Sequence, residues 1–341
     1  MEWVLWMECD TKMKAMSMTF KQKGDDDYFI RLLSYLRSQF KENIIEMVPF
    51  RKSVILIKTD NNTYMLKGFH TNNRLKLQEA FTATLRKEGF SKTYLFVHPV
   101  IKEPLFFEGT YFGSMEYISP NKNPFSFKSQ KNRQEGLELL EQFHLVTSSF
   151  ESRYRTLIPK GVIIEKWKDR GKIFSSNLSF LKYFVNEKIL TELTDWANWS
   201  LTGMEYDRSL FINEPYCILH GDVAHHNFLR DTKGVLHLID FDLISIGPSS
   251  LDYLQYANRI LPSLDWSLDR LSRFSQYENL LDEKSFLHAL AFPADIFREW
   301  NRLIREGTYR DQSKYNQVMD LTIGQFYSRK KFIDTLKLLT K

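Results

Sequence analysis

Two short stretches in the second half of the chain constrain its fold and chemistry more than any other feature. One runs from His220 to Asn227 (His-Gly-Asp-Val-Ala-His-His-Asn) and the other from Val235 to Asp242 (Val-Leu-His-Leu-Ile-Asp-Phe-Asp). In order, they supply an Asp that can accept a hydroxyl proton, an Asn that can hold a metal, and a second Asp at the end of a strand. Groups of these types in this order are the parts of a phosphoryl-transfer site.

A predicted β-hairpin joins the two stretches. Asn227–Arg230 and Val235–Ile239 have the composition of short strands, and Asp231–Gly234 between them has that of a turn. Because a hairpin folds back on itself, Asn227 and Asp240 should lie side by side, although thirteen positions separate them (240 minus 227). Two oxygen ligands at one place suit Mg²⁺, which leaves its other positions to water and phosphate. The pattern therefore predicts a magnesium site at the open end of the hairpin.

The spacing of the first stretch adds a candidate base. Asp222 lies five positions before Asn227, a spacing shared with the catalytic loop of protein kinases. Taken singly, each of these residues is a common turn former, so the ordered set carries the prediction. A zinc cluster is the alternative, but no Cys pair or carboxylate–His helix accompanies its candidate ligands. Those candidates are His220, His225, His226 and His237.

A kinase-type site also needs a lysine on an upstream strand, and the first third of the chain contains one. Val54–Lys58 and Thr63–Lys67 are two β-rich runs around a short polar turn, which predicts a hairpin. Period-two alternation places Lys67 on the same strand face as Met65 and Phe69. Its ammonium would emerge from an apolar surface and would need an anion, and ATP phosphates would serve.

A helix with one acidic residue in its body follows that strand. Arg74–Leu85 has apolar residues three and four apart and is followed by Gly89. Glu79 is the acidic residue, so it is the candidate partner that would orient Lys67. A solvated Glu on an exposed helix face is the alternative.

The motifs together match a known pattern. They are Leu66-Lys67, His220-Gly221-Asp222 with Asn227, and Ile239-Asp240-Phe241-Asp242. In them the chain resembles the aminoglycoside phosphotransferase and choline kinase superfamily of small-molecule kinases, over about residues 50–310. A closer resemblance is to the kinase-like proteins associated with the spore coat of endospore-forming bacteria. It adds Gly68, Phe143-His144, Leu251-Asp252-Tyr253, Arg259-Ile260-Leu261-Pro262, Trp266 and Ala289–Trp300.

The resemblance implies roles for the residues that match the motifs. Asp222 would be the catalytic base, with His220 bracing its loop. Asn227 and Asp240 would hold Mg²⁺, and Asp242 would be an auxiliary acidic residue near the metal.

It also implies how ATP would be held. Lys67 would contact the α and β phosphates, and Asp252 would support the catalytic loop from the start of a helix. Independently of the resemblance, adenine could pair with backbone groups of Met115 to Tyr117, next to the expected hinge. One departure concerns the phosphates, because Val48–Ser53 contains no glycine-rich loop. Phosphate binding would then fall to backbone amides or to Arg51, Lys52 and Ser53.

The expected fold is α+β and two-lobed, protein-kinase-like, with a small β-rich lobe and a larger, mostly helical one. The predicted nucleotide-binding lobe covers residues 1–118, including a short extension over residues 1–27, and the helical lobe covers residues 119–341. Prolines and asparagines in Ile118–Pro124 mark the expected hinge. Long helices are predicted over Tyr28–Phe40, Gln134–Ser148, Ser179–Leu201, Glu283–Glu306 with a break at Pro293, and Lys314–Leu339.

Composition narrows the classes of partner. The chain has 47 basic and 42 acidic residues, a net charge of +5, and the charges are interspersed without the stripe of a nucleic-acid binder. No apolar run reaches membrane-spanning length. Cys9 and Cys217 are the two cysteines, so we expect a reducing compartment. These observations predict a cytoplasmic protein that binds neither nucleic acid nor membrane, with the spore coat as the alternative location.

The predicted function is ATP- and Mg²⁺-dependent phosphoryl transfer to a hydroxyl of a small polar molecule. Only twelve positions separate Asp240 from Asp252, too few for the activation segment with which protein kinases dock peptides. The alternative is a kinase-like structural or interaction protein of the spore coat, with other coat proteins as partners and little turnover. Five acidic residues would attract a cationic acceptor or form a solvated face: Glu205, Asp207, Asp265, Asp269 and Glu278.

Overall fold

An antiparallel β-sheet forms much of the first third of the chain. The structure is a computed structural model that describes residues 25–341, and the predicted extension over residues 1–27 lies almost wholly outside them. The strands are β1 (Ile44–Arg51), β2 (Val54–Thr59), β3 (Thr63–Phe69), β4 (Phe96–Val97), β5 (Leu105–Phe107) and β6 (Thr110–Glu116). Within the described residues they make one six-stranded sheet in the order β1-β2-β3-β6-β4, with β5 paired to β6.

The predicted hairpin that carries Lys67 is confirmed as β2 and β3, with Val54 opposite Lys67 and Ile55 opposite Leu66. Two helices accompany the sheet, α1 (Asp25–Gln39) and α2 (Asn72–Lys87). Helix α1 contributes buried residues to the same hydrophobic core as Ile55 and Leu66. Removing these apolar faces from water is the main driving force for this packing.

The second predicted hairpin is also confirmed, with strands β8 (Phe228–Arg230) and β9 (Leu236–Leu238) paired antiparallel. At its open end the Ile239 N–H donates a 3.0 Å hydrogen bond to the Asn227 carbonyl. Leu238 donates to the carbonyl of Lys92 at 2.9 Å. The hairpin thus brings Asn227 next to the chain that enters Asp240.

Helices make up most of the rest of the described chain. They are α3 (Gln130–Ser148), α4 (Ile163–Ser176), α5 (Leu178–Leu181), α6 (Glu187–Tyr206), α7 (Ser209–Ile212), α8 (Ser250–Ile260), α9 (Leu268–Leu271), α10 (Lys284–Leu290), α11 (Ala294–Arg305), α12 (Gln312–Met319) and α13 (Phe326–Leu339). Strands β7 (Cys217–Leu219) and β10 (Ser245–Gly247) pair antiparallel among them. The predicted α+β class is therefore confirmed.

One predicted helix is wrong in its extent. Ser179–Leu201 is not continuous, because α5 ends at Leu181 and α6 begins at Glu187. The side chain of Asn186 accepts a hydrogen bond from the Lys188 N–H at 2.9 Å and caps α6. The break expected at Pro293 is present between α10 and α11.

The described chain packs as two compact units. The first takes the chain up to Ser126 together with Glu138–Thr147 and His225–Asp242, and the second takes Phe127–Leu137, Ser148–Ala224 and Leu243–Lys341. The hairpin with Asn227 and Asp240 therefore groups with the β-sheet, whereas the predicted division at residue 118 assigned it to the helical lobe. None of the helices in residues 25–341 is long and apolar enough to cross a bilayer.

Candidate active site

The ammonium group of Lys67 forms ion pairs with two of the predicted site residues, both in the first unit. Its Nζ lies 2.7 Å from Oδ1 of Asp240 and 2.7 Å from Oδ1 of Asp242. The lysine side chain is only 9% exposed, and the two carboxylates are 18% and 44% exposed. Burial weakens solvent screening, so one ammonium shared by two carboxylates is a strong electrostatic feature. The Nζ also lies 5.6 Å from the centre of the Phe69 ring, on the predicted strand face.

Helix α2 fixes Asp242 from the other side. The Nε2 of Gln78, a buried side chain, donates a 2.6 Å hydrogen bond to Oδ1 of Asp242. Arg74 donates from its guanidinium to the Asp242 carbonyl at 2.7 Å. The predicted pair of Lys67 with Glu79 is not formed, because Glu79 accepts from Lys76 at 2.7 Å instead. The residue of α2 that contacts a carboxylate partner of Lys67 is therefore Gln78 and not Glu79.

The backbone at Asp240 has an unusual conformation. Its φ is +68°, in the left-handed region that residues other than glycine seldom adopt. Strain of this kind persists where the surrounding structure imposes it, and it concentrates at functional sites. Here the conformation comes directly after Ile239, whose N–H is bonded to Asn227.

The oxygen-bearing side chains at this place fit a hard divalent cation. Asn227 is buried, and the hairpin sets it beside the strand that leads to Asp240, with Asp242 two residues further on. An amide and two carboxylates match the oxygen ligands that Mg²⁺ takes in proteins. The predicted ligands Asn227, Asp240 and Asp242 therefore all belong to the first unit, together with Lys67.

An apolar pocket adjoins these residues within the same unit. Lys67 and Asp240 line it with Met65, Met115, Ile118, Leu229, Ile239, Glu116 and Tyr94. Its enclosed volume is about 30 Å³, far below the ~300 Å³ of small ligand sites. A nucleotide base could enter only if its walls moved apart.

Tyr94 and Tyr117 differ in their relation to this pocket. Burial first, and then the charges of Asp240 and Asp242, raises the pKa of Tyr94 well above 10.0, so its phenol stays neutral. The predicted adenine contact Tyr117 lines a separate depression with Lys41 and Tyr64. Sequence reasoning did not identify Tyr94, because nothing in its local sequence shows that it lies beside the carboxylates.

The connection between β1 and β2 consists of Lys52 and Ser53 alone. The Ser53 carbonyl accepts a 2.7 Å hydrogen bond from the Gly68 N–H, which holds the turn against β3. A long glycine-rich loop over phosphates is therefore absent at this place in the described chain, as the composition of Val48–Ser53 indicated.

The loop that carries Asp222 is anchored in the second unit by Asp252. The two carboxylate oxygens of Asp252 accept from the N–H groups of His220 at 2.7 Å and of Gly221 at 3.0 Å. Asp252 is fully buried in the first turn of α8. The Asp222 N–H donates to Nδ1 of His220 at 3.3 Å, so the imidazole contacts the backbone of the same loop.

Gly221 allows this loop to turn. Its φ is +77°, and a Cβ at this position would lie 2.2 Å from the backbone oxygen of Leu243. Any side chain would therefore displace the loop. The turn leaves Asp222 32% exposed, with its Oδ1 3.3 Å from the guanidinium of Arg259.

The zinc alternative has no support in the described residues. Within residues 25–341, the one group of three or more His, Cys, Asp or Glu side chains with converging ligand atoms is Glu79, His98 and Glu103. Lys76 lies 2.7 Å from Glu79 and 4.0 Å from Glu103, so its ammonium already supplies positive charge there. His237 pairs with Asp231 at 3.1 Å instead of joining a cluster.

Four of the five acidic residues proposed to attract a cationic acceptor are engaged elsewhere. Glu205 accepts from Lys168 and Arg208, and the hydrogen bond from Lys168 lowers its pKa. Asp265 pairs with Arg270, and Asp269 pairs with Arg273 at 2.8 Å. The remaining two are Asp207, which accepts from Ser209, and the exposed Glu278. The solvated-face interpretation is the one that the structure supports.

Comparison with protein families gives a match over the middle of the chain. A model of the phosphotransferase enzyme family matches residues 135–290, a span that contains both His220–Asn227 and Val235–Asp242. No significant match was found among curated proteins.

Solved structures are similar over most of the chain. An aminoglycoside phosphotransferase from Alicyclobacillus acidocaldarius has a TM-score of 0.65 at 19% identity, covering 89% of this chain and 94% of that one. A spectinomycin phosphotransferase in complex with ADP and spectinomycin has a TM-score of 0.58 at 14% identity, covering 91% and 98%. A choline kinase from Streptococcus pneumoniae has a TM-score of 0.51 at 14% identity, covering 92% and 100%. The chain has the protein-kinase-like fold. Together the comparisons support a small-molecule phosphotransferase.

Proposed function

We propose that the protein transfers the γ-phosphoryl group of ATP to a hydroxyl of a small polar molecule with the help of Mg²⁺. The observation that carries this proposal is the position of Lys67 between Asp240 and Asp242, each 2.7 Å from its ammonium. A cation and two carboxylates kept together in a half-buried place need a function, because desolvating charges is costly.

On the nucleotide side, Lys67 would neutralise the α and β phosphates once they enter. Asn227, Asp240 and Asp242 would hold Mg²⁺, which supplies positive charge to the phosphate oxygens when bound. Met115 and the chain after it would contact the base. We expect only moderate nucleotide affinity, because the pocket is narrow and the turn at Lys52 and Ser53 is too short to cover the phosphates.

On the acceptor side, Asp222 is the base. The acceptor oxygen forms a bond to the γ phosphorus while the bond from that phosphorus to the β–γ bridging oxygen breaks. The hydroxyl proton passes to the Asp222 carboxylate, and ADP leaves with the electron pair of the broken bond. Positioning and charge neutralisation would supply most of the rate enhancement.

The covalent chain supports a joint role for these groups. Four residues, Val223 to His226, separate Asp222 from Asn227. Five extended steps of chain span at most roughly 18 Å between Cα atoms, and this covalent limit is compatible with a joint role.

A small-molecule acceptor is supported by the segment that follows the metal ligands. After Asp242 the chain enters β10 (Ser245–Gly247) and then α8 (Ser250–Ile260) almost at once. This segment has no space for a peptide-docking activation loop of the kind protein kinases use.

Thermal unfolding with and without MgATP is the first test. A ligand that binds only the folded protein adds about 2.7 kcal/mol of stability at 100 times its dissociation constant. We expect MgATP to raise the melting temperature and ATP without a divalent cation to raise it much less. Equal unfolding curves under every metal condition would reject the proposal.

The second candidate function is a kinase-like binding or structural protein of a spore coat with little turnover. The narrow pocket and the missing glycine-rich loop are the observations that favour it. MgATP binding without ATP consumption across a broad panel of alcohols, sugars and amino alcohols would favour this candidate over the enzyme.

A further inference from the structure

A cavity of about 360 Å³ lies entirely within the second unit and includes Asp222 in its wall. Three helices line it. Helix α4 contributes Trp167 and Arg170, three residues apart, and α11 contributes Arg298. From α8 come Gln255, Asn258 and Arg259, at the i, i+3 and i+4 spacing that makes one helix face. The volume lies within the range of small-ligand sites.

The lining is rich in positive charge. Lys166, Arg170, Arg259 and Arg298 face two carboxylates, Asp222 and Asp295. Asp295 is already neutralised, because Arg329 binds both of its oxygens, at 2.9 and 2.6 Å. Asp222 forms an ion pair with Arg259, whose guanidinium nitrogen lies 3.3 Å from Oδ1 of the carboxylate.

Of the other lining cations, Lys166 is exposed, Arg170 makes no ion pair in the described chain, and Arg298 shares its partner Glu299 with Arg302. Arg170 donates to the Ala294 carbonyl at 3.1 Å, and no carboxylate of the described chain lies within ion-pair distance of it. Arg298 uses its Nε for Glu299, which also binds Arg302.

Burial and the charges of neighbouring guanidinium groups lower the pKa of two arginines of the cavity. Burial first, and then the charges of Arg298 and Arg259, lowers the pKa of Arg170 to about 10. Burial followed by the charge of Arg298 also lowers the pKa of Arg259. Like charges this close repel one another, and a bound anion would relieve the repulsion.

Neutral hydrogen-bonding groups complete the cavity. Gln255 and Asn258 line it and make no side-chain hydrogen bond among residues 25–341. The indole of Trp167, stacked on Phe292 with ring centres 4.5 Å apart, gives it an apolar wall. Amide side chains of this kind can donate to and accept from hydroxyl groups.

We propose that the phosphoryl acceptor is a polyhydroxylated molecule that carries an oxyanion, a carboxylate or a phosphate monoester, bound by Arg170 and Arg298. This inference rests on the proposed function, because it identifies the cavity beside Asp222 as the acceptor site. Planar guanidinium groups match both oxyanions, since each presents paired oxygens to the N–H fork. A polycationic acceptor is disfavoured by the same charges.

The test measures, by calorimetry at fixed ionic strength, the binding of four polyhydroxylated six-carbon compounds, two of them open-chain and two of them rings. Gluconate provides a carboxylate, glucose 6-phosphate a phosphate monoester, glucitol no charge and glucosamine a cation. The proteins are the wild type, Arg170→Met and Arg298→Met. The control is Arg305→Met, which removes a 72% exposed guanidinium from the same helix as Arg298.

We expect at least one oxyanion to bind the wild type ten-fold or more tightly than glucitol and glucosamine. Arg170→Met and Arg298→Met should each weaken that binding about 10- to 100-fold, the usual effect of losing a charge-assisted hydrogen bond. Arg305→Met should change it less than two-fold. Whether gluconate or glucose 6-phosphate is preferred decides between a carboxylate and a phosphate.

Three results would overturn the assignment: tighter binding of glucosamine than of either oxyanion, no measurable oxyanion binding, or oxyanion affinity unchanged in both cavity variants. MgATP binding, measured on the same proteins, separates this inference from the proposed function. MgATP binding with no oxyanion preference rejects the anion site alone. Arginine-dependent oxyanion binding in a protein that never binds MgATP rejects the phosphotransferase and leaves an anion site.

Discussion

The side-chain amide of Gln78 donates a 2.6 Å hydrogen bond to Asp242. The next residue, Glu79, pairs with Lys76 instead. A neutral amide therefore occupies the helix position closest to the carboxylates that hold Lys67. Because an amide adds no negative charge, one lysine is left to balance Asp240 and Asp242, and a divalent cation can still be attracted.

Gln78→Glu should destabilise the protein because it sets a third carboxylate beside Asp242 in a buried place. We expect the free energy of unfolding to fall by about 1–3 kcal/mol at pH 8. The loss should shrink toward pH 5, because the introduced carboxyl then takes up a proton and the repulsion disappears. Urea unfolding at the two pH values measures both effects.

Glu79→Gln is the matched control, one residue away on the same helix. It removes an ion pair in which Lys76 is 50% exposed, so the cost should stay below about 1 kcal/mol and vary little with pH. Equal costs for the two substitutions would mean that the contact between Gln78 and Asp242 is not important for stability.

These two residues show what the sequence could and could not predict. Local patterns predicted the hairpin at Asn227 and the position of Lys67 on an apolar strand face, because both follow from short-range periodicity. The partner of that lysine is Asp240, 173 positions away, and no spacing rule connects them. The helix pattern identified the charged Glu79, but successive helix residues differ by about 100° in direction, and the face was decided by packing.

The acceptor site was predicted less well for a similar reason. Acidic residues were sought because they are visible as charges in the sequence, yet the structure pairs three of the five, Glu205, Asp265 and Asp269, with neighbouring cations. Arg170 and Arg298 belong to helices 128 positions apart (298 minus 170), and only tertiary packing brings them to one cavity. A cavity lined by several helices leaves no pattern in any short stretch of the sequence.

Lys67→Met keeps the apolar stem and removes the charge that two carboxylates share. Because breaking a buried ion pair costs 3–5 kcal/mol and Asp242 is 44% exposed, we expect a loss of about 3 kcal/mol in stability without metal. Millimolar Mg²⁺ should restore part of it, since the cation can replace the lost charge. MgATP affinity should remain much weaker than in the wild type.

Lys76→Met provides the comparison, because it also removes a lysine that two carboxylates contact, but from an exposed site. Calorimetric unfolding with and without Mg²⁺ should show a small, metal-independent change. The role assigned to Lys67 would be rejected by two results together. Mg²⁺ would restore no stability to either variant, and Lys67→Met would bind MgATP as tightly as the wild type does.

Asp240→Asn should abolish the stabilisation by MgATP while leaving the fold intact. Asn is chosen because it tolerates the left-handed backbone at φ +68° about as well as Asp does, so strain does not confuse the result. Asp60→Asn, a substitution of an exposed turn residue in the same unit, is the control. A MgATP shift of wild-type size in well-folded Asp240→Asn would exclude the metal site.

Two glycines of the second unit should respond oppositely to alanine. Gly221→Ala forces a Cβ to within 2.2 Å of the Leu243 oxygen at φ +77°, so we expect a loss of at least about 2 kcal/mol. Gly171→Ala, within helix α4, meets no atom within 4 Å and should add about 0.5–1 kcal/mol. Chemical denaturation of both variants checks the backbone description, which predicts opposite signs.

Asp222→Asn should separate binding from chemistry. Asparagine keeps the size of the side chain and can still accept from Arg259 N–H groups, so the loop held by Asp252 should remain in place. The amide cannot take the acceptor proton, and general-base catalysis typically supplies about 10² to 10⁴ in rate. With an acceptor found, turnover should therefore fall by that factor while the MgATP shift stays as in the wild type. Asp269→Asn, which changes an exposed carboxylate of the same unit, should leave turnover unchanged. If Asp222→Asn keeps full turnover, the base is another group.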